Sequence, residues 1–195
     1  QYVPGTYADT AEIVALAKVA AANRGLYATH MRNEGTELEK AVAESIYIAE
    51  SARLPLEISH LKVDAPSRWG SSAKALEMMD AARARGVGVN ADQYVYDAAS
   101  SNLGIRFPSW ALEGGQARIN ERLQDEATWQ KIRAEMRELI RERGLEDYNF
   151  ARIAEYRADR SLNGLTIPQA TQKVLGKDDL ATQQEMMRRM LLAGG

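Results

Sequence analysis

The chain has 195 residues, 45% of them hydrophobic and 27% charged, and carries a net charge of −2. This balance suits one globular domain or a large part of one, and it gives no general attraction to nucleic acid or to an anionic membrane. There is no cysteine, which excludes disulfides, iron–sulfur clusters and thiolate metal sites within the chain, and no apolar run approaches the roughly 20 residues that cross a bilayer.

Residues 10–24, TAEIVALAKVAAANR, read as a helix with Thr10 placed to cap it and Gly25 placed to stop it. Residues 26–30 follow as a short strand ending on His30. Residues 36–53 form the clearest helical pattern, with Thr36 and Glu39 in capping-box register. Pro55 separates that helix from a strand over 56–62. The segment SRWGSS (67–72) reads first as a loop packed on Trp69, with anion binding at the N-terminus of the helix that follows as the alternative. A third helix over 71–85 closes at Gly86, and a third strand covers 87–94. Strands that alternate with helices over short connections imply a parallel sheet, because parallel neighbours need a crossover.

The spacing points the same way. His30 and His60 lie 30 residues apart, and His60 and Asp92 lie 32 apart. Repeated βα units of this size favour an α/β fold, either a (β/α) barrel or a doubly wound sheet. Polar residues gather near the C-terminal ends of the strands: His30, then His60 with Lys62, then Asn90 with Asp92 and Tyr94. In a strand, residues two apart share a face, and in a barrel these are the positions from which active sites are built. Beyond Tyr96 the pattern changes. Residues 97–115 form a small-residue loop, 116–143 are strongly charged and helical, and YNFARIAEY (148–156) reads as a strand. Two helices follow over 166–176 and 179–192, the first with Thr166 as N-cap. We therefore expect a partial barrel over 1–115 and a mainly helical insertion over 116–195.

Two histidines ending neighbouring parallel strands can address one metal ion from the same side. Neutral imidazole suits zinc, although a catalytic zinc needs about three protein ligands and an open position. The alternative is two separate histidines with their hydrogen bonds satisfied. Tyr94, Tyr96, Ser100 and Ser101 sit where the third strand becomes a loop; they suit an anionic ligand, or equally packing and turn formation. Lys62 can meet a substrate carboxylate or pair internally with Asp92. Arg32 and Arg106 read first as solvated or internally paired arginines.

The strings YVPGTYADT, ATHMRNEG, ISHLKV, WG, ADQYVYDAASS and WALEGG, in this order and spacing, resemble the N-acyl-D-amino-acid deacylases, the D-aminoacylase branch of the amidohydrolase superfamily. The resemblance is specific from Tyr2 to about Gly115 and weaker beyond. It implies a metal-dependent (β/α)8 TIM barrel, of which this chain matches about strands five to seven plus the insertion. It also implies hydrolysis of the amide bond of a small-molecule N-acyl-D-amino acid. Within it, His30 and His60 match ligands of one or two zinc ions. Lys62, Tyr94 and Ser100 match binders of the substrate α-carboxylate, and Arg106 is the candidate for an acidic substrate side chain. The family's Tyr-Pro-Tyr is Tyr94-Val95-Tyr96 here, which removes a rigid residue from the loop.

The family's first-strand His-x-His, its fourth-strand bridging ligand and its catalytic aspartate have no counterpart in this chain. The general acid/base is expected beyond Gly195, and Asp178 and Asp179, in GKDD between two predicted helices, stand in the wrong context for it. The chain opens on Gln1 and closes on Gly194-Gly195, and it reads as an internal piece of something longer. Zinc lowers the pKa of bound water and an aspartate moves its proton to the leaving nitrogen, so this piece alone is expected to be inactive. A cyclic amidase of dihydroorotase or hydantoinase type, and a catalytically dead barrel kept as a binding module, are the alternatives. We expect a cytoplasmic protein with no nucleic-acid or membrane partner, and self-association through open barrel edges.

Overall fold

The first helix begins on a carboxylate rather than on the expected threonine. In the structure, a computed structural model that describes residues 2–194, the Asp9 side chain accepts from the Glu12 N–H at 2.7 Å and opens α1 (Thr10–Ala22). Aspartate caps at least as well as threonine and adds a favourable charge at the helix N-terminus. Thr10 becomes the first helical residue, and its hydroxyl donates to Glu44 Oε1 at 2.6 Å. The helix ends through Arg24, which takes a left-handed φ of 58°, and the Gly25 N–H reaches back to the Ala20 carbonyl at 2.8 Å.

The capping box expected at Thr36 and Glu39 does not form. Asn33 Oδ1 instead accepts from the N–H groups of Gly35 at 2.8 Å and Glu37 at 3.2 Å. This Asx-type turn carries the chain into α2 (Leu38–Ala52) two residues later than expected. The buried face of α2 includes Leu38, Val42, Ile46 and Ala49, and it joins Leu56, Ile58, Ala75, Met79 and Val89 in one apolar cluster. Each fully buried Leu or Ile in such a cluster contributes about 1.5–3 kcal/mol.

That cluster lies against a three-stranded parallel sheet, β1 (Tyr27–Thr29), β2 (Leu56–Ile58) and β3 (Val89–Ala91), in the order β1-β2-β3. Tyr27 pairs with Leu56 and Leu56 with Val89; Thr29 pairs with Ile58 and Ile58 with Ala91. The helices α2 and α3 (Ser72–Ala84) provide the crossovers. The βα alternation is as expected, but the strands are shorter. β2 stops at Ile58 and β3 at Ala91, so His60 with Lys62, and Asp92 with Tyr94, stand in the turns after the strands and not on one strand face. Trp69, expected to anchor its loop, is 72% exposed.

The chain divides into two compact units, one ending at Tyr96 and the other beginning at Asp97; the sequence pattern had suggested a boundary at residue 115. In the second unit the charged stretch is two helices, α4 (Gly115–Gln124) and α5 (Glu126–Glu142). Asp125 separates them and caps α5 by accepting from the Thr128 N–H at 2.8 Å. α5 buries Trp129, Ile132, Met136 and Ile140 and leaves its charged residues outside. The strand expected over 148–156 is reduced to one antiparallel bridge between Arg152 and Thr166, because Tyr148, Ile153 and Tyr156 enter the core separately along an irregular segment. α6 (Ile167–Leu175) and α7 (Leu180–Leu192) complete the unit. Thr166 and Gln169 form a full capping box on α6.

Candidate metal and substrate site

The register of the sheet sets the site. Thr29 and Ile58 are paired, His30 follows the first directly and His60 follows the second after Ser59. The two imidazoles stack with centroids 4.5 Å apart and planes 28° from parallel. His30 Nδ1 and His60 Nε2 face each other within bonding reach. The Tyr2 ring meets His30 edge-on at 5.3 Å. Burial and the neighbouring His60 lower the His30 pKa below its ordinary value, which favours the neutral imidazole, the form a metal requires.

His60 reaches this position through a left-handed backbone, with φ of 44°. A non-glycine residue pays roughly 1–2 kcal/mol for that conformation, so it persists only where its surroundings fix it. Asp92 does so. Its Oδ1 accepts from the His60 N–H at 2.7 Å, its carbonyl accepts from the Leu61 N–H at 3.0 Å, and its own N–H donates to the Ile58 carbonyl at 3.2 Å. Asp92 is thus engaged with the turn backbone, and the partner of Lys62 is a different carboxylate.

That carboxylate is Glu34, which sequence reasoning passed over. Glu34 Oε1 lies 2.8 Å from His60 Nδ1 and Oε2 pairs with Lys62 Nζ. Lys62 Nζ also lies 3.2 Å from the His60 carbonyl and 3.1 Å from His60 Nδ1. An ammonium only donates; the nearer carboxylate accepts a hydrogen bond from Nδ1–H, so the contact of Lys62 with that nitrogen is proximity and not a bond. Lys62 stands over the Tyr94 ring, 5.6 Å from its centroid. A cavity of about 280 Å³ opens beside the lysine, lined chiefly by Leu38, Leu61, Val63, Leu76 and Ala91, with Asp92 and Gln93 at its polar side. The signal for Glu34 in the sequence was its place in ATHMRNEG, four residues after His30.

The structure therefore brings His30, His60, Lys62 and Tyr94 together in the first unit. Ser100 and Arg106 belong to the second unit. Ser100 lies in an exposed loop, and the Arg106 guanidinium stacks on Phe150 at 5.1 Å. Two imidazole nitrogens turned toward one another are a donor set that fits zinc. They are short of the three ligands such an ion takes, and among the described residues no group of three or more His, Cys, Asp or Glu side chains gathers to complete the set. Among the same residues no helix is long and apolar enough to cross a membrane.

No family model matches the chain. Over 102 residues, 52% of this chain, it is 42% identical to an N-acyl-D-glutamate deacylase of Alcaligenes xylosoxydans xylosoxydans. Over the same length it is 38% identical to a D-aminoacylase of that organism. Each match spans 21% of the relative's own length. Among solved structures, the N-acyl-D-glutamate deacylase of Bordetella bronchiseptica, complexed with zinc and a phosphonate mimic of the tetrahedral intermediate, aligns at a TM-score of 0.68 and 28% identity. That alignment covers 97% of this chain and 31% of the enzyme. A D-aminoacylase crystal structure aligns at 0.66 and 23% identity, again over 97% and 31%, which is a likeness of fold. The resemblance to N-acyl-D-amino-acid deacylases read from the sequence is thus found again among both the relatives and the solved structures, over a part of their length.

Proposed function

We propose that this chain supplies two zinc-binding histidines and a substrate-carboxylate site to an N-acyl-D-amino-acid deacylase built as a metal-dependent (β/α)8 barrel. The observation that carries the reading is the convergence of His30 Nδ1 and His60 Nε2 beside Lys62. Zinc held by His30 and His60 would supply a water of lowered pKa and would polarise the scissile carbonyl. Lys62 then holds the substrate α-carboxylate. Of its three N–H donors, Glu34 takes one and the His60 carbonyl a second, which leaves the third for the ligand. Tyr94 flanks the lysine and the apolar cavity beside it suits the acyl chain. By resemblance alone, Ser100 is proposed as a binder of the substrate α-carboxylate and Arg106 of an acidic substrate side chain, so that N-acyl-D-glutamate is the first substrate to test.

The curated relatives are named for linear N-acyl-D-amino acids, which favours this reading over a cyclic amidase. With two ligands and, among the described residues, no carboxylate beside them that is not already engaged, the 195-residue chain alone is proposed to bind zinc weakly and to hydrolyse nothing. β1 and β3 are the edges of the sheet, and the same proposal has them promote self-association.

Equilibrium dialysis against zinc tests the reading. The chain should take up one zinc ion weakly, only at high free zinc, His30→Ala and His60→Ala should each abolish that uptake, and N-acetyl-D-glutamate should shift the amide resonances of Lys62 and Tyr94 more than its L-enantiomer does. Zinc retained by both histidine variants excludes the metal site. Equal response to the two enantiomers returns the chain to a binding module without D-specificity.

A further inference from the structure

Glu34 lies in the turn between β1 and α2, and each of its carboxylate oxygens has a partner within the chain. Its side chain is 16% exposed, that of Lys62 18% and that of His60 19%. Oε1 meets His60 Nδ1 and Oε2 meets Lys62 Nζ. The Glu34 backbone is fixed as well, because its carbonyl accepts from the Asp64 N–H at 2.9 Å. One carboxylate, its backbone held by Asp64 just beyond the second histidine, therefore addresses His60 and Lys62 together.

A neutral imidazole carries its proton on one nitrogen or the other, and the partner of the protonated nitrogen decides which. A carboxylate at 2.8 Å from Nδ1 is an acceptor, so the proton sits on Nδ1 and the Nε2 lone pair is bare. Nε2 is the nitrogen turned toward His30. From this arrangement we infer that Glu34 is a positioning residue: it holds His60 in the Nδ1–H form, aims the Nε2 lone pair at the metal position, and anchors the Lys62 ammonium beside it. This use rests on the deacylase reading, whereas the tautomer itself follows from the geometry. Carboxylate partners of this kind fix ring orientation and raise ligand basicity in histidine metal sites generally. Asp92 holds the His60 main chain, so the backbone and the ring of this residue are positioned by different carboxylates.

The test is ring-nitrogen NMR on the full chain in zinc-free buffer near pH 8, using two-bond proton–nitrogen correlations. His30→Asn leaves a single histidine and assigns the signals. The wild-type chain should show His60 with Nδ1 protonated and Nε2 bare. Glu34→Ala should move it toward the Nε2–H form that prevails in a free histidine side chain. Glu34→Gln separates the two contacts: its amide oxygen can still accept from Nδ1, but its NH2 group cannot accept from Lys62. The tautomer should then persist while the Lys62 ammonium protons exchange several-fold faster with water. Nε2 protonation in the wild-type chain overturns the inference, and so does an unchanged His60 in a folded Glu34→Ala chain. If Glu34→Ala fails to fold, the wild-type spectrum still decides. None of these readouts needs bound zinc or turnover, so a failed metal or deacylase reading leaves them interpretable.

Discussion

Arg32 directs its whole guanidinium fork inward. Its Nε donates to Glu44 at 2.8 and 3.0 Å, Nη1 to the Thr6 carbonyl at 2.9 Å and Nη2 to the Ala8 carbonyl at 2.6 Å. It therefore ties residues 6–8 to α2, the internally paired role that its sequence context allowed. Arg32→Ala should lower the unfolding free energy by about 2 kcal/mol, the worth of one or two hydrogen bonds to a charged group. Arg32→Lys should recover less than half of it, because an ammonium cannot span the fork; denaturant midpoints measure both. Tyr148 offers a pH-dependent test in the second unit. Burial pushes its phenol from 10.0 up to about 12. The folded state thus holds the proton more tightly than the unfolded chain. The resulting stability is fully present below about pH 10 and is lost as pH rises through 12, amounting to about 3 kcal/mol. Tyr148→Phe should flatten the fall in stability over that window, with little change at pH 8. Neither Arg32's partners nor Tyr148's burial has a periodic signature, because both depend on segments far apart in sequence.

Helix caps show why some local signals held and others did not. Thr166 and Gln169 stand in the same S/T-x-x-E/Q register as Thr36 and Glu39, yet only the first pair forms the box. At Thr36 the preceding Asn33 already holds the Gly35 and Glu37 amides, and an asparagine side chain competes well for such donors. At the start of α6 the Thr166 hydroxyl accepts from the Gln169 N–H, so Thr166→Ala should cost about 1 kcal/mol, read as a lowered thermal midpoint of the second unit. Helices were readable from their apolar period because α2 and α5 each bury a stripe. Strand ends were not, since an apolar run does not reveal where backbone pairing stops. The left-handed turn at His60, which ends pairing beyond β2 and aims the ring, is set by Asp92 from 32 positions away. The histidine pair was readable from the repeat of βα units, whereas Glu34 was not, because it sits in a turn where no period marks it.

Each compact unit carries a core of its own. The buried clusters around α2 and the sheet draw only on residues up to Val89, and the cluster around Trp129 draws only on residues from Leu103 onward. The candidate histidine pair belongs to the first unit and depends on strand register, so what secures the site is the packing of α2 and α3 on three short strands. Trp129 tests this division. It is 1% exposed, it packs among Ile132, Met136 and Met187 in the second core, and the Arg188 guanidinium lies 5.0 Å from its ring. Trp129→Ala should remove about 3–5 kcal/mol from that core. Hydrogen exchange should then show α5, α6 and α7 losing amide protection together. Leu56 and Ile58 in β2 should keep theirs, since no side chain of their cluster has been removed. Equal loss in both units would mean that the chain unfolds as one cooperative body, and the stability of the histidine site would then have to be sought in all 195 residues and not in the first unit alone.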